Sequence, residues 1–95
     1  MGQVPMVTTD SFPGFVVFEV HGLVWGWSTE DHSDAHPADR AANEISARAE
    51  ARGANAILAL RLVTFPKVTS LGVNIRTELE VVMYGTAVSV MRRTT

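Results

Sequence analysis

A short polar segment, residues 30–36, carries the side chains best suited to hold a metal ion. Its candidate ligands are Asp31, His32, Asp34 and His36. Imidazole and carboxylate groups together suit zinc, nickel or copper, so the segment predicts a divalent transition-metal site. Pro37 disfavours a helical conformation at His36, which argues against the usual pair of histidines one helical turn apart. If the segment binds a metal ion, we therefore expect it to do so as a loop wrapped around the ion.

The same segment also fits a solvated acidic loop in front of the positively polarised start of a helix. The chain has no cysteine, which disfavours metals that prefer thiolate ligands. We keep both interpretations, and predict no cofactor, with a divalent transition metal as the alternative.

Two patterns on predicted strands could bind a ligand or join subunits. His21 lies two residues from Glu19, whose carboxylate could select one imidazole tautomer, but a structural hydrogen bond is the simpler explanation. Trp25 and Trp27 point to one side of a strand, as a stacking platform or as a subunit contact. We favour the contact, because tryptophan dominates the energetics of interfaces. The predicted interface residues are Trp25, Trp27, Val7 and Tyr84.

Carboxylates alternate with an arginine along a later strand, at Arg76, Glu78 and Glu80. Two carboxylates can perform acid–base chemistry when their environments separate their pKa values, but a ladder of ion pairs is the simpler interpretation. The sequence has no Ser-His-Asp order, phosphate-binding loop or nucleophile elbow. An enzyme is therefore the least supported class of function.

Composition narrows the partners. The formal net charge is −2, from 8 basic and 10 acidic residues, so the chain lacks the basic surplus of a nucleic-acid-binding protein. The longest apolar run, Ala54–Leu60, is far shorter than the roughly 20 residues that span a bilayer. The amino terminus has no basic and apolar signal pattern. We expect a cytoplasmic protein without nucleic-acid or membrane partners.

The first half of the chain predicts strands followed by a helix. Met6–Thr9 is predicted as an edge strand, Phe15–Gly22 as a long strand that Leu23–Trp27 continues beyond a bend, and residues 28–36 as a loop. In the long strand, Val16, Phe18 and Val20 are expected on one face. Pro37 is well placed at the first helical position, and Arg52 followed by Gly53 is a typical helix end.

The second half predicts two further strands. Ala56–Val63 is one, residues 65–72 are a connection, and Asn74–Tyr84 is the other, continued by Thr86–Met91 beyond a bulge or kink at Gly85. We predict one domain over residues 1–95 with an α+β fold. It is a two-layer sandwich in which one helix covers an antiparallel sheet of three to four strands, in the order β-β-α-β-β.

Several phrases together resemble the YbjQ-like family, which bears a heavy-metal-binding label. They are Val7-Thr8-Thr9, Pro13-Gly14 followed by Glu19-Val20 and Gly22, Ala51-Arg52-Gly53-Ala54-Asn55-Ala56-Ile57 and Tyr84-Gly85-Thr86-Ala87-Val88. The resemblance implies a dodecin-like subunit that assembles into a ring, here a pentamer. The family has no established catalytic residues. Its usual long segment before the Gly-Ala-Asn-Ala phrase is shortened here to residues 28–52.

The helix also predicts assembly. Its apolar stripe is almost entirely alanine, and small side chains bury little area against a sheet that is apolar on both faces. Additional burial by a second copy is the simplest remedy. We predict a non-enzymatic, ring-forming homo-oligomer that binds a ligand or docks an unidentified protein partner. The alternative is a metal-ion-binding protein that uses the acidic loop or the subunit interface.

Overall fold

The computed structural model describes residues 3–29 and 36–93. In chain order the elements are β1 (Phe15–Thr29), α1 (Pro37–Ala51), β2 (Ala56–Leu71) and β3 (Asn74–Arg92). The strands form one antiparallel sheet in the order β1-β3-β2. The α+β class is confirmed, with one helix and a sheet of three strands.

Local signals set both ends of α1. The side chain of His36 caps its start by accepting the Ala38 N–H, and Pro37 occupies the first turn. At the other end Arg52 is the C-cap, and Gly53 adopts a φ of 86°, a left-handed conformation that favours glycine. The predicted helix is confirmed. Its buried face consists mainly of small side chains: Pro37, Ala41, Ile45, Ser46 and Ala49.

Strand β2 corrects one prediction. Residues 65–72 are not a connection: β2 continues to Leu71, and a tight turn with Gly72 at a φ of 64° leads into β3. Pro66 suggested a break, but β2 is an edge strand: in the described sheet its strand partner is β3. Proline is tolerated there where its nitrogen faces away from the ladder. At β1, Ser28 and Thr29 are likewise strand rather than loop.

Bulges correct two further predictions. Ala59 and Leu60 both lie opposite Gly85, so the bulge belongs to β2, and Ala59 has a φ of 54°. In β1 the register shifts at Phe18 and at His21. Because each extra residue reverses the alternation of side chains, the shared face predicted for Val16, Phe18 and Val20 is wrong.

The sheet carries apolar clusters on both faces. Ile45 of α1 packs over Val24, Ile57 and Val81 of the sheet, and each of the four is at most 1% exposed. On the opposite face a smaller cluster contains Ala56, Leu58, Val88 and Val90, with Val7, Phe12 and Phe15 packed against it. The segment before β1 therefore covers only the end of this second face.

The predicted amino-terminal strand is reduced to a single isolated bridge and a few backbone hydrogen bonds. Met6 makes an isolated parallel bridge to Ile57 of β2. Backbone bonds join Val7 N–H to the Ile57 carbonyl and Leu60 N–H to the Val7 carbonyl. Residues 5–9 thus lie along the start of β2 without becoming a fourth strand of the sheet.

Candidate functional site

The face of the sheet opposite α1 is the main candidate site. Trp25 is paired with Tyr84 and Trp27 with Val82 across β1 and β3. Cross-strand partners point to the same side of a sheet, so these side chains share one face. Trp25, Trp27 and Tyr84 are 47%, 50% and 39% exposed. We call this surface the bare sheet face; its exposed apolar residues are Val17, Val20, Leu23, Trp25, Trp27, Val63, Phe65 and Tyr84.

The prediction that Trp25 and Trp27 lie on one side of their strand agrees with this geometry, and the structure adds Tyr84 to that side. Folded monomers rarely expose contiguous apolar patches beyond a few hundred Å². A patch with several aromatic side chains is typical of a surface that binds a partner.

A shallow groove of about 300 Å³ lies at one end of the bare sheet face. Its lining is mostly apolar, with one carboxylate and one hydroxyl group. The lining residues are Asp10, Val17, Val20, Leu58, Ala59, Thr86 and Val88. The groove is continuous with the bare sheet face through Val17 and Val20.

Arginines of the helix cover the outer edge of β1. Arg52 donates to the Leu23 carbonyl at 2.6 Å, Arg48 to the Trp25 carbonyl at 3.1 Å and Arg40 to the Thr29 carbonyl. We call these three residues the arginine seal. An edge strand normally offers unpaired acceptors to other chains, and here the seal occupies the carbonyls of Leu23, Trp25 and Thr29. These arginines are separated by eight and four residues, a spacing that favours a common side of the helix. The sequence does not show which strand they contact.

Arg48 also links the seal to the bare sheet face. Its guanidinium lies 5.2 Å from the centre of the Trp25 ring, and its Nη2 also lies 2.7 Å from Glu44 Oε1. A cation over an indole face is a favourable contact. The indole of Trp25 is therefore held at the boundary between the edge and the face.

His21 belongs to a hydrogen-bonded chain that the sequence did not reveal. Its Nε2 lies 2.7 Å from Ser89 Oγ, and Ser89 Oγ donates to the Gly53 carbonyl at 3.1 Å. A hydroxyl group has one proton, so Ser89 must accept from the imidazole. Glu19 Oε1 lies 3.6 Å from the same Nε2. A nucleophilic relay needs the carboxylate on Nδ1, so this trio fixes structure rather than activating Ser89.

Of the predicted metal ligands, His36 lies within the described residues, whereas Asp31, His32 and Asp34 lie outside them. His36 is exposed, and its Nδ1 accepts the Ala38 N–H at 3.0 Å as the helix cap. In residues 3–29 and 36–93 no three metal-ligating side chains converge. The chain has no cysteine, so the imidazole and carboxylate side chains predicted as ligands do not fit a centre for soft heavy metals, which prefer thiolates.

The two carboxylates predicted as a possible acid–base pair, Glu78 and Glu80, both lie near Lys67. Glu80 is 7% exposed, and its Oε1 lies 3.6 Å from Lys67 Nζ. Glu78 is paired with Lys67 across β2 and β3. This arrangement supports a ladder of ion pairs.

The described helix is not long and apolar enough to cross a membrane.

The fold and the site together define a class: a small α+β domain whose helix covers one sheet face and leaves the other apolar and open. Residues 29–91 match the sequence model of the YbjQ family, described as putative heavy-metal-binding. The chain belongs to this family, as the resemblance implied. Among curated proteins, no sequence matches the chain.

Proposed function

We propose that the protein is a non-enzymatic, ring-forming homo-oligomer that serves as a binding or scaffold protein. The observation that carries this proposal is the bare sheet face. Its indoles, with the exposed side chains of Leu23 and Val20 at 57% and 65%, would be costly to leave in water. Burying apolar surface is worth roughly 25 cal/mol per Å².

The helix cannot supply that burial. It lies on the other face of the sheet, and its buried side chains are largely alanine. A second copy that covers the bare sheet face would remove the aromatic side chains from water. The interface so formed would centre on Trp25, Trp27 and Tyr84, as tryptophan and tyrosine often do in stable interfaces.

The family resemblance supplies the finer form of the proposal. It implies a dodecin-like subunit and a pentameric ring, and we propose a cytoplasmic location for this ring. The ring would present its outer surface, including the solvated face of α1, to an unidentified protein partner or ligand.

Light scattering coupled to size exclusion tests the assembly. The expected molar mass is that of a ring of several 10.3 kDa chains, five for the pentamer. The double variant Leu23→Gln with Trp27→Gln should shift the protein towards single chains. The control Ala47→Gln lies on the exposed side of α1 and should leave the mass unchanged. A wild-type chain that is monomeric and melts at a concentration-independent temperature contradicts the proposal.

A metal-binding protein is the second candidate, and the family description is the observation that favours it. The donors would come from residues 31–36, and a metal on the Nδ1 of His36 would displace the helix cap. Calorimetry with zinc, nickel and copper ions tests this candidate. Saturable heat that disappears in His32→Ala would support it; no heat at micromolar protein would exclude these ions.

A further inference from the structure

The hairpin of β2 and β3 extends beyond the rest of the sheet. Strand β1 ends at Thr29, opposite Glu80, whereas β2 and β3 stay paired to Leu71 and Asn74. Residues 66–79 therefore form a ribbon of two strands, which we call the arm. The molecule accordingly measures 64 × 24 × 19 Å. Two-stranded ribbons alone are marginally stable in water, so the arm needs something to pack against.

The arm has one apolar and one charged face. In β3, Val81 and Met83 are buried beneath α1, and alternation places Leu79 and Ile75 on that same side. Val68 is paired with Thr77, which alternation also places there. Lys67 and Glu78 point the other way. We call the apolar side the arm strip; it contains Pro66, Val68, Ile75 and Leu79.

The strip continues past the end of the helix. Leu79 still packs against the core under α1, but Val68 and Ile75 are 65% and 75% exposed. Among the residues that the structure describes, the arm strip and the bare sheet face are thus two exposed apolar surfaces. They lie on opposite sides of one sheet, so a single chain cannot bring them together.

We propose that the arm strip of each copy packs on the bare sheet face of the next copy. This inference rests on the proposed function and names the contact that builds the ring. Two unlike surfaces that meet head to tail form a heterologous interface, and such interfaces close into rings when the rotation permits. The same two surfaces could also meet reciprocally about a two-fold axis, in which case light scattering would give the mass of two chains and contradict the ring.

The edges of the sheet favour packing by faces over strand addition. The arginine seal occupies carbonyls of β1, and residues 5–9 bond to the start of β2. Pro66 deprives the outer strand of the arm of one donor. Proline and covered edges are the usual protection against edge-to-edge pairing. The apolar face of the arm is therefore the contact surface that we propose.

Matched double variants test the contact. Val68→Gln with Ile75→Gln removes the apolar side chains from the arm strip, whereas Lys67→Gln with Glu78→Gln changes neighbouring positions on the charged face. The first pair should lower the molar mass by light scattering to that of one chain at micromolar concentration, with the far-UV circular dichroism retained. The second pair should keep the wild-type mass. Equal masses for both pairs would overturn the inference.

Cross-linking tests the head-to-tail arrangement in this cysteine-free chain. Ile75→Cys and Leu23→Cys are prepared separately, mixed, allowed to exchange subunits and treated with a short bis-maleimide. We expect covalent dimers in the mixture and none in either variant alone. Dimers from Ile75→Cys alone would mean that arms meet arms, which contradicts the inference.

The two proposals fail differently. A monomeric wild-type protein removes the proposed function and this inference with it. A wild-type oligomer that survives Val68→Gln with Ile75→Gln, and gives no mixed cross-link, removes the inference alone.

Discussion

Gly26 of β1 lies directly beneath Ala41 of α1. A Cβ atom at Gly26 would come within 2.2 Å of the Ala41 carbonyl oxygen and 2.8 Å of the Ile45 nitrogen. The backbones of helix and strand therefore touch where glycine separates the two tryptophans. The small residues of the helix and this glycine together set how closely the two layers approach.

Gly26→Ala should consequently destabilise the protein by about 2–3 kcal/mol, since overpacking a tight contact costs roughly 1–3 kcal/mol. Urea unfolding at one fixed protein concentration measures the change. Gly14→Ala is the control, because nothing lies within 4 Å of its Cβ position. The control should cost about 1 kcal/mol, from its left-handed backbone alone. Equal losses would contradict the close contact.

Asn55 holds the start of β2 to β3. Its amide donates to the Val90 carbonyl at 3.0 Å and accepts the Val90 N–H at 2.8 Å. Asn55→Ala should lower the free energy of unfolding by about 2 kcal/mol, since each bond contributes roughly 1 kcal/mol. Asn55→Asp keeps the acceptor and should lose less. A neutral Asn55→Ala result would show that the asparagine of this family phrase has another role.

The arginine seal should protect β1. Arg52→Met removes the donor to the Leu23 carbonyl and keeps most of the apolar stem. We expect a loss of about 1 kcal/mol and faster amide hydrogen exchange along β1, because the helix no longer ties down that edge. Arg93→Met at the carboxyl end is the control. Unchanged exchange in Arg52→Met would mean that the seal contributes nothing in solution.

The chain from His21 to Gly53 predicts a tautomer. Because Ser89 gives its proton to the Gly53 carbonyl, the neutral imidazole of His21 must carry its proton on Nε2. Long-range ¹H–¹⁵N spectra distinguish the two nitrogens directly. The Ser89→Ala variant should lose this preference and about 1–3 kcal/mol of stability, since a buried partner is left unsatisfied. Detection of the Nδ1–H form in the wild type would refute the assignment.

Much of the fold followed from local signals. Pro37 and the Arg52-Gly53 pair marked the helix ends because capping and left-handed backbone depend on adjacent residues. The common side of Trp25 and Trp27 followed from strand alternation. The bulges at Phe18 and His21 escaped prediction, because an extra residue is defined only against a partner strand.

Part of the candidate site could likewise be predicted from the sequence, and part could not. Exposed indoles could be anticipated, but Ser89 and the arginine seal could not, because they act across long sequence separations. Pro66 and Gly72 predict a loop, but a proline interrupts a strand only where its nitrogen would have joined the ladder. Their place at an edge and in a tight turn depends on the neighbouring strand.

By itself, the amino-acid sequence determined the helix, the strand-forming segments and an apolar surplus that one alanine-rich helix cannot cover. These properties depend on side-chain size, polarity and contacts within a few residues. The tertiary structure decided which sheet face stays bare, which edges are sealed and how far the arm extends. Those features follow from register and strand order, which are set by pairing between distant parts of the chain.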